Sequence, residues 1–274
     1  MAVTTSGQRP ARLPDTADRA GFPGALRSEL TKLGSVRSSY WTLLALAVLV
    51  VGFSVLGSAA AASHPGQNGP GFDPTARSLF GLYVGQLIIA ALGALTVTAE
   101  YSTGMIATSL TALPRRPTIF AAKAAAFALV ALGTGLVTSF AAFFTGQAVM
   151  ARVHINATLT QPGVLRAVTG GALFLAVCGL LAYGLGTLLR HTAGAITATV
   201  LLLFVATLLV NTLPQSWQDR VDKWLPALAG GQIWATRPAH GPPLFAPWTG
   251  FAVFCGYAAI AMTAGLISFT RRDA

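Results

Sequence analysis

Six charge-free apolar runs leave this chain few ways to fold: Trp41–Ala62, Leu79–Ala99, Ala124–Ala151, Ala167–Leu189, Thr192–Leu213 and Trp248–Phe269. Each is long enough to span hydrocarbon, which takes about 20 helical residues at a rise of about 1.5 Å each. Composition agrees, with 54% of the 274 residues apolar and 9% charged, where soluble domains carry about a quarter charged. The chain therefore reads as an all-α polytopic membrane protein with six transmembrane helices, at about 41–62, 79–99, 118–150, 164–189, 192–213 and 248–269. Soluble-enzyme functions are nearly excluded.

The net charge of +10 reads as an orientation signal. With the N-terminus in the cytoplasm, twelve cations fall inside and Arg77, Arg152, Arg166, Arg220, Lys223 and Arg237 fall outside. The split of 12 to 6 places both termini in the cytoplasm. Residues 1–24, broken by Pro10, Pro14 and Pro23, lack an apolar stretch after their first basic residues. They are expected to be a disordered cytoplasmic leader rather than a cleavable signal peptide, with residues 25–274 forming the six-helix domain.

Between Ala25 and Val36 the residues Leu26, Leu30, Leu33 and Val36 recur at helical spacing, with Arg27, Glu29 and Lys32 on the other face. A short amphipathic interface helix before the first span is expected, against the membrane surface or the protein's own loops. Pro117 suits the first turn of the third helix, and Lys123, one turn further in, is expected to snorkel to the headgroups. On the outer side, Trp217–Ile233 mixes aromatic and charged residues. It reads either as an amphipathic, partly re-entrant piece or as an ordinary loop with an aromatic belt.

Chemistry on the chain itself finds little support. The spans hold no Asp, Glu, Lys, Arg or His in their middles, which disfavours proton-coupled transport. His64, His154, His191 and His240 lie in loops or at helix ends, without metal-ligand spacing. Cys178 and Cys255 sit in apolar runs as small hydrophobes. There is no phosphate-cradling Gly-x-x-x-x-Gly-Lys-Ser/Thr loop. No catalytic residue, cofactor or metal is expected, and any ATP-driven work requires another chain.

The informative segment runs from Glu100 to Pro117. A carboxylate at the C-terminal end of the second helix meets the negative end of its dipole, at a cost of about 0.3–1 kcal/mol, so a compensating partner is expected. Ser102 or Thr103 can cap a short helix that Pro114 ends, whose positive N-terminus would serve. An ion pair with Arg115 or Arg116 is the other reading.

Three stretches here are similar to the permease subunits of type-2 ATP-binding cassette (ABC) transporters: Glu100-Tyr101-Ser102-Thr103-Gly104-Met105-Ile106, the turn Pro114-Arg115-Arg116-Pro117, and Glu29-Leu30-Thr31-Lys32-Leu33. Gly184-Leu185-Gly186, the stretch Leu188–Gly194 and the closing Arg271-Arg272-Asp273 resemble small actinobacterial members, so the likeness covers about residues 25–274. The resemblance implies a bacterial plasma-membrane permease, paired with a second copy or a paralogue and driven by a cytoplasmic ABC ATPase, with export the expected direction. It also implies an ATPase-coupling loop carrying Glu100, Tyr101, Gly104 and Met105, flanked by Arg115 and Arg116. A non-transporting membrane anchor or assembly protein is the alternative. Nucleic acid is not an expected partner.

Among polar residues within the spans, Gln86, Thr138, Gln147 and Asn211 are candidates to line a pathway. Interhelical hydrogen bonds, worth about 0.6–2 kcal/mol each, are the plainer reading. Gly81-x-x-x-Gly85 could let a neighbouring helix approach closely, in the same chain or at a seam with a second copy.

Overall fold

The computed structural model describes residues 21–35, 37–69, 71–103, 116–237 and 245–271, which form helices and short connections with no strand among them. Six helices are long and apolar enough to cross a membrane: Arg37–Ser63, Leu82–Tyr101, Arg116–Val153, Val164–Leu189, Thr192–Val210 and Pro247–Arg271. These are spans one to six of a multi-pass membrane protein. A further helix, Phe22–Ser35, precedes span one. Val36, like the leader up to residue 20, lies outside the described residues.

Span four is the hub. Its central stretch is 67% buried, whereas that of span five is only 22% buried, and it packs against spans two, three and six. Glycine makes these crossings close. A Cβ at Gly93 would collide with the Gly179 carbonyl, and one at Gly184 would lie 2.6 Å from the backbone of Ala261 and Met262. In lipid, where helices gain nothing from leaving water, such close backbone approach is a main source of association.

The Gly81 and Gly85 pair belongs to the same scheme: the helix that approaches closely there is span one of the same chain. Gly81 N donates to Ser54 Oγ at 3.0 Å, and a Cβ at Gly85 would sit 2.7 Å from Val50 Cγ2. Span one already occupies this face.

Span five enters through a two-residue turn. Arg190 takes the left-handed conformation with φ 54°, and its N–H donates to Gly186 O at 2.9 Å. His191 Nδ1 then accepts from Gly194 N at 3.1 Å, capping the new helix, so this histidine serves as an N-cap. Span five is α-helical over Thr192–Val200, widens into a π-helical turn at Leu201–Val205 and resumes over Ala206–Val210. It stops three residues short of Leu213, because Asn211–Leu213 turn back on themselves.

The connection to span six builds two short helices, Gln215–Val221 and Pro226–Gly231, with a 3-10 turn after each. Its first part exposes Trp217, but Ala229 and Ile233 are fully buried and Trp234 nearly so. This part of the segment folds into the bundle between spans four and six, which favours the re-entrant reading over a loop with an aromatic belt. Gly230 lies against the Phe254 ring and Gly170 against the Ile233 carbonyl.

Two charged residues hold the segment in place. Arg166 donates to the carbonyls of Gln232, Ile233 and Ala235 at 2.8–3.2 Å. Asp73 caps the helix Pro74–Ser78 through Thr75 N and Ala76 N, and also accepts from Thr236 N, Thr236 Oγ1 and Arg237 N at 2.6–2.9 Å. Hydrogen bonds to a charged acceptor contribute about 1.5–3 kcal/mol each. Asp73→Ala is therefore expected to free the segment locally, accelerating amide exchange at Thr236 and Arg237 by at least about tenfold while span four stays protected. Equal protection in the variant would show that Asp73 is not the tether.

Candidate functional site

The chain contains only two glutamates, Glu29 and Glu100, and three lysines. Both glutamates and two of the lysines meet at one end of the bundle. Lys123 Nζ donates to Glu29 Oε2 at 2.8 Å and to Glu100 Oε1 at 2.6 Å. Lys32 Nζ donates to Glu29 Oε1 at 2.7 Å and lies 3.7 Å from Glu100 Oε1. The side chains of Lys123, Glu29 and Glu100 are only 10–13% exposed, whereas that of Lys32 is 39% exposed. Three elements are thus tied by one neutral ring of charge: the interface helix, the end of span two and the second turn of span three.

This corrects two expectations. Lys123 does not snorkel, because two carboxylates at hydrogen-bonding distance neutralise it where it stands. The interface helix also turns Glu29 inward, with Leu26, Leu30 and Leu33 only partly covered. Pairing a buried cation outweighs covering that apolar face, since an unpaired buried charge costs several kcal/mol. The partner expected for Glu100 is supplied by lysines from two other elements. The helix of span two runs on to Thr103, and the short helix expected after it lies outside the described residues.

Burial pushes the Glu29 carboxyl up, but Lys123 and Lys32 together outweigh it and hold it below the ordinary 4.5. Burial pushes Lys32 down, and Glu29 and Glu100 more than reverse this, raising it above 10.5. A lowered acid stabilises the folded form above its unfolded pKa, and that stability is lost as pH falls through the folded value. A raised base does so below its unfolded pKa and loses it as pH rises through the folded value. The interface helix is therefore expected to stay docked between about pH 4.5 and 10.5 and to detach below that window as Glu29 protonates. A spin-label distance between Arg27→Cys on this helix and span three checks this; an unchanged distance at pH 3 would refute it.

Of the other coupling-loop residues, Tyr101 closes span two with its ring 5.0 Å from the Arg190 guanidinium. Arg116 opens span three and donates to Phe269 O at 3.4 Å, near where Arg190 reaches Ser268 O. Both cations thus meet the carbonyl end of span six, where the helix dipole favours them. Gly104, Met105 and Arg115 lie outside the described residues. Beside the ion cluster is a recess of about 320 Å³ lined by Ser39, Thr42, Leu95 and Thr96 together with the charged groups.

At the opposite end of the bundle lies a cavity of about 510 Å³, bounded by span two, the π-helical turn of span five and the folded-in segment before span six. Of the four candidate pathway residues, Gln86 and Asn211 line it. Gln147 instead joins connections: its amide donates to Pro74 O and Ser78 Oγ and accepts from Ala157 N, at 2.7–3.2 Å. Thr138 is buried, and its hydroxyl has no partner among the described residues.

The sequence reading missed Lys123 as a bridge, Asp73 and Arg166 as tethers, and Trp234 as cavity wall. Lys123 carried a usable signal, being a lysine in the second turn of an apolar helix in a chain with two glutamates. No protein-family model and no curated protein matches the chain.

Proposed function

We propose that this chain is the membrane-spanning permease subunit of an ATP-driven ABC transporter of the type-2 kind, an exporter in the bacterial plasma membrane with both termini in the cytoplasm. A separate cytoplasmic ATPase and a second permease subunit complete it. The 12 to 6 distribution of cations supports this orientation, and the cavity at the far end supplies a place for cargo. One observation carries the reading. Glu100 lies four residues before Gly104 in the chain and is bound through Lys123 and Glu29 to span three and the interface helix. A displacement imposed on the 104–115 segment by ATP-driven closure of a partner would move three elements together.

The test is to purify the tagged full-length protein from its native host in mild detergent and identify what remains bound. A stoichiometric ATPase is expected. Glu100→Ala should reduce stimulation of its ATP hydrolysis by at least about fivefold, the low end of ordinary coupling free energies. Folding should persist, because Lys123 keeps Glu29. Recovery of the chain alone, under conditions that preserve known complexes, would favour the anchor reading instead.

A further inference from the structure

The 510 Å³ cavity does not stand alone. A second chamber of about 420 Å³ adjoins it, the two sharing Gly71, Asp73, Ala76, Tyr83 and Trp234 in their walls. Both fall within the about 300–1,000 Å³ usual for small-molecule sites. Their chemistry differs. The first is walled largely by apolar residues such as Leu203, Phe204, Leu208 and Ala227, whereas the second adds Gln67, Asn68 and Arg77. Arg77 is the decisive group. Half-buried, its guanidinium has no carboxylate or hydrogen-bond partner among the described residues, and it sits 6.0 Å from the centre of the Phe80 ring. Unlike Trp234 Nε1, none of its nitrogens is sealed from solvent. Rings lead from this cation to the apolar chamber: the centroids of Phe80 and Tyr83 are 5.7 Å apart, and those of Tyr83 and Trp234 5.3 Å. The charges lining the two chambers do not cancel, since Asp73 alone faces Arg77 and Arg237. Asp73 already accepts five hydrogen bonds, and Arg237 Nη1 donates to a neutral acceptor, Phe72 O. A guanidinium beside apolar walls without a countercharge favours an anion, and its planar fork of donors suits a phosphate or carboxylate.

We propose that the joined chambers bind an anionic amphiphile, with its phosphate or carboxylate head on Arg77 and its apolar chain in the 510 Å³ chamber. A neutral amphiphile leaves the guanidinium without a counter-ion, and a cationic one is repelled by it. A small hydrophilic anion leaves the apolar chamber unfilled. The inference rests on the permease reading for one point, that the bound molecule is cargo.

The test uses full-length protein in phosphatidylcholine nanodiscs at neutral pH, labelled with hexadecyl phosphate bearing a diazirine at its chain end and mapped by mass spectrometry. Saturable adducts are expected within 203–211 and 227–235, displaced by hexadecyl phosphate at about tenfold lower concentration than by hexadecanol. Arg77→Gln should weaken retention of the phosphate by at least about tenfold, the low end for a hydrogen bond to a charged group, and leave competition by hexadecanol as before. Arg152→Gln removes an exposed cation that lines neither chamber and should change nothing. Melting curves confirm that both variants fold, and the competition series on the unaltered protein stands without them. Equal displacement by alcohol and phosphate overturns the proposal. An equal loss in the two arginine variants also overturns it, because general surface charge then holds the probe. So does labelling confined to outward-facing residues such as Val137 and Ile260, which ordinary lipid contact explains. Phosphatidylglycerol added to the nanodiscs separates two sources of the same chemistry: if it competes like hexadecyl phosphate, the site is supported and holds a membrane lipid, and if it does not, the site takes a free single-chain anion. If labelling fails while an ATPase co-purifies, the permease reading survives without this site; a saturable adduct without any ATPase supports the site and removes only the claim that its ligand is cargo.

Discussion

Lys123→Met is expected to destabilise the protein by about 3–5 kcal/mol, the cost of breaking a buried ion pair from one side. Methionine nearly preserves the shape, so the loss is electrostatic: Glu29 and Glu100 are left close together and mostly buried, with only Lys32 to serve both. Lys32→Met removes the same nominal charge but should cost no more than about 1 kcal/mol, because that side chain is 39% exposed and water screens its pairs. Replacing all three buried members together, with Glu29→Gln, Glu100→Gln and Lys123→Met, should recover much of the loss, since the one charge left in the cluster, on Lys32, is 39% exposed and hydrated. Thermal unfolding in detergent, followed by tryptophan fluorescence, would rank the variants. If Lys123→Met melts no lower than Lys32→Met, the buried bridge is not what ties these elements together.

Gly93→Val should be comparably damaging for a different reason. Here the neighbour is the backbone of span four at Gly179, which cannot rotate aside as a side chain would. Spans two and four must separate, and the tightly fitted contacts along them loosen together. Overpacking of a filled core costs about 1–3 kcal/mol and sometimes more; a clash with backbone belongs at or above the upper end. Gly133→Ala supplies the control, since a Cβ there meets nothing within 4 Å. It should be neutral or slightly stabilising by helix propensity. A folded, monodisperse Gly93→Val protein with an unchanged melting temperature would contradict the crossing geometry.

The six spans were legible because each is a long apolar run, and length alone decides that question in a bilayer. Their ends were less so. The helix of span two runs on through Ser102 and Thr103, past the end of its charge-free run at Ala99, because helical hydrogen bonding does not stop where apolar residues do. The ion cluster was half legible. Glu100 visibly needed a partner, but the contacts between Lys123 and two residues 94 and 23 positions away depend on which helices adjoin, and no periodicity carries that. Glu29 misled for a related reason, since amphipathic patterning assumes that charge faces water. The π-helical turn left no trace in composition, as Leu201-Leu202-Leu203-Phe204-Val205 would suit an α-helix equally. Residues 226–234 were ambiguous because a buried turn of Ala, Leu and Gly is too short to show a face.

The π-helical turn bears on how this chain tolerates changes in length. In a uniform α-helix, removing one residue swings everything beyond it by about 100°. A π-helical turn of this kind holds one residue more than the α-helical count, absorbed locally while both flanks keep their facing. Span five can therefore lose a residue between Leu201 and Val205 and simply tighten, with Thr192–Val200 and Ala206–Val210 still presented as before. Leu203, Phe204 and Val205 form part of the cavity wall. The one place where span five can be shortened without disturbing its neighbours is thus also where its length shapes the space inside.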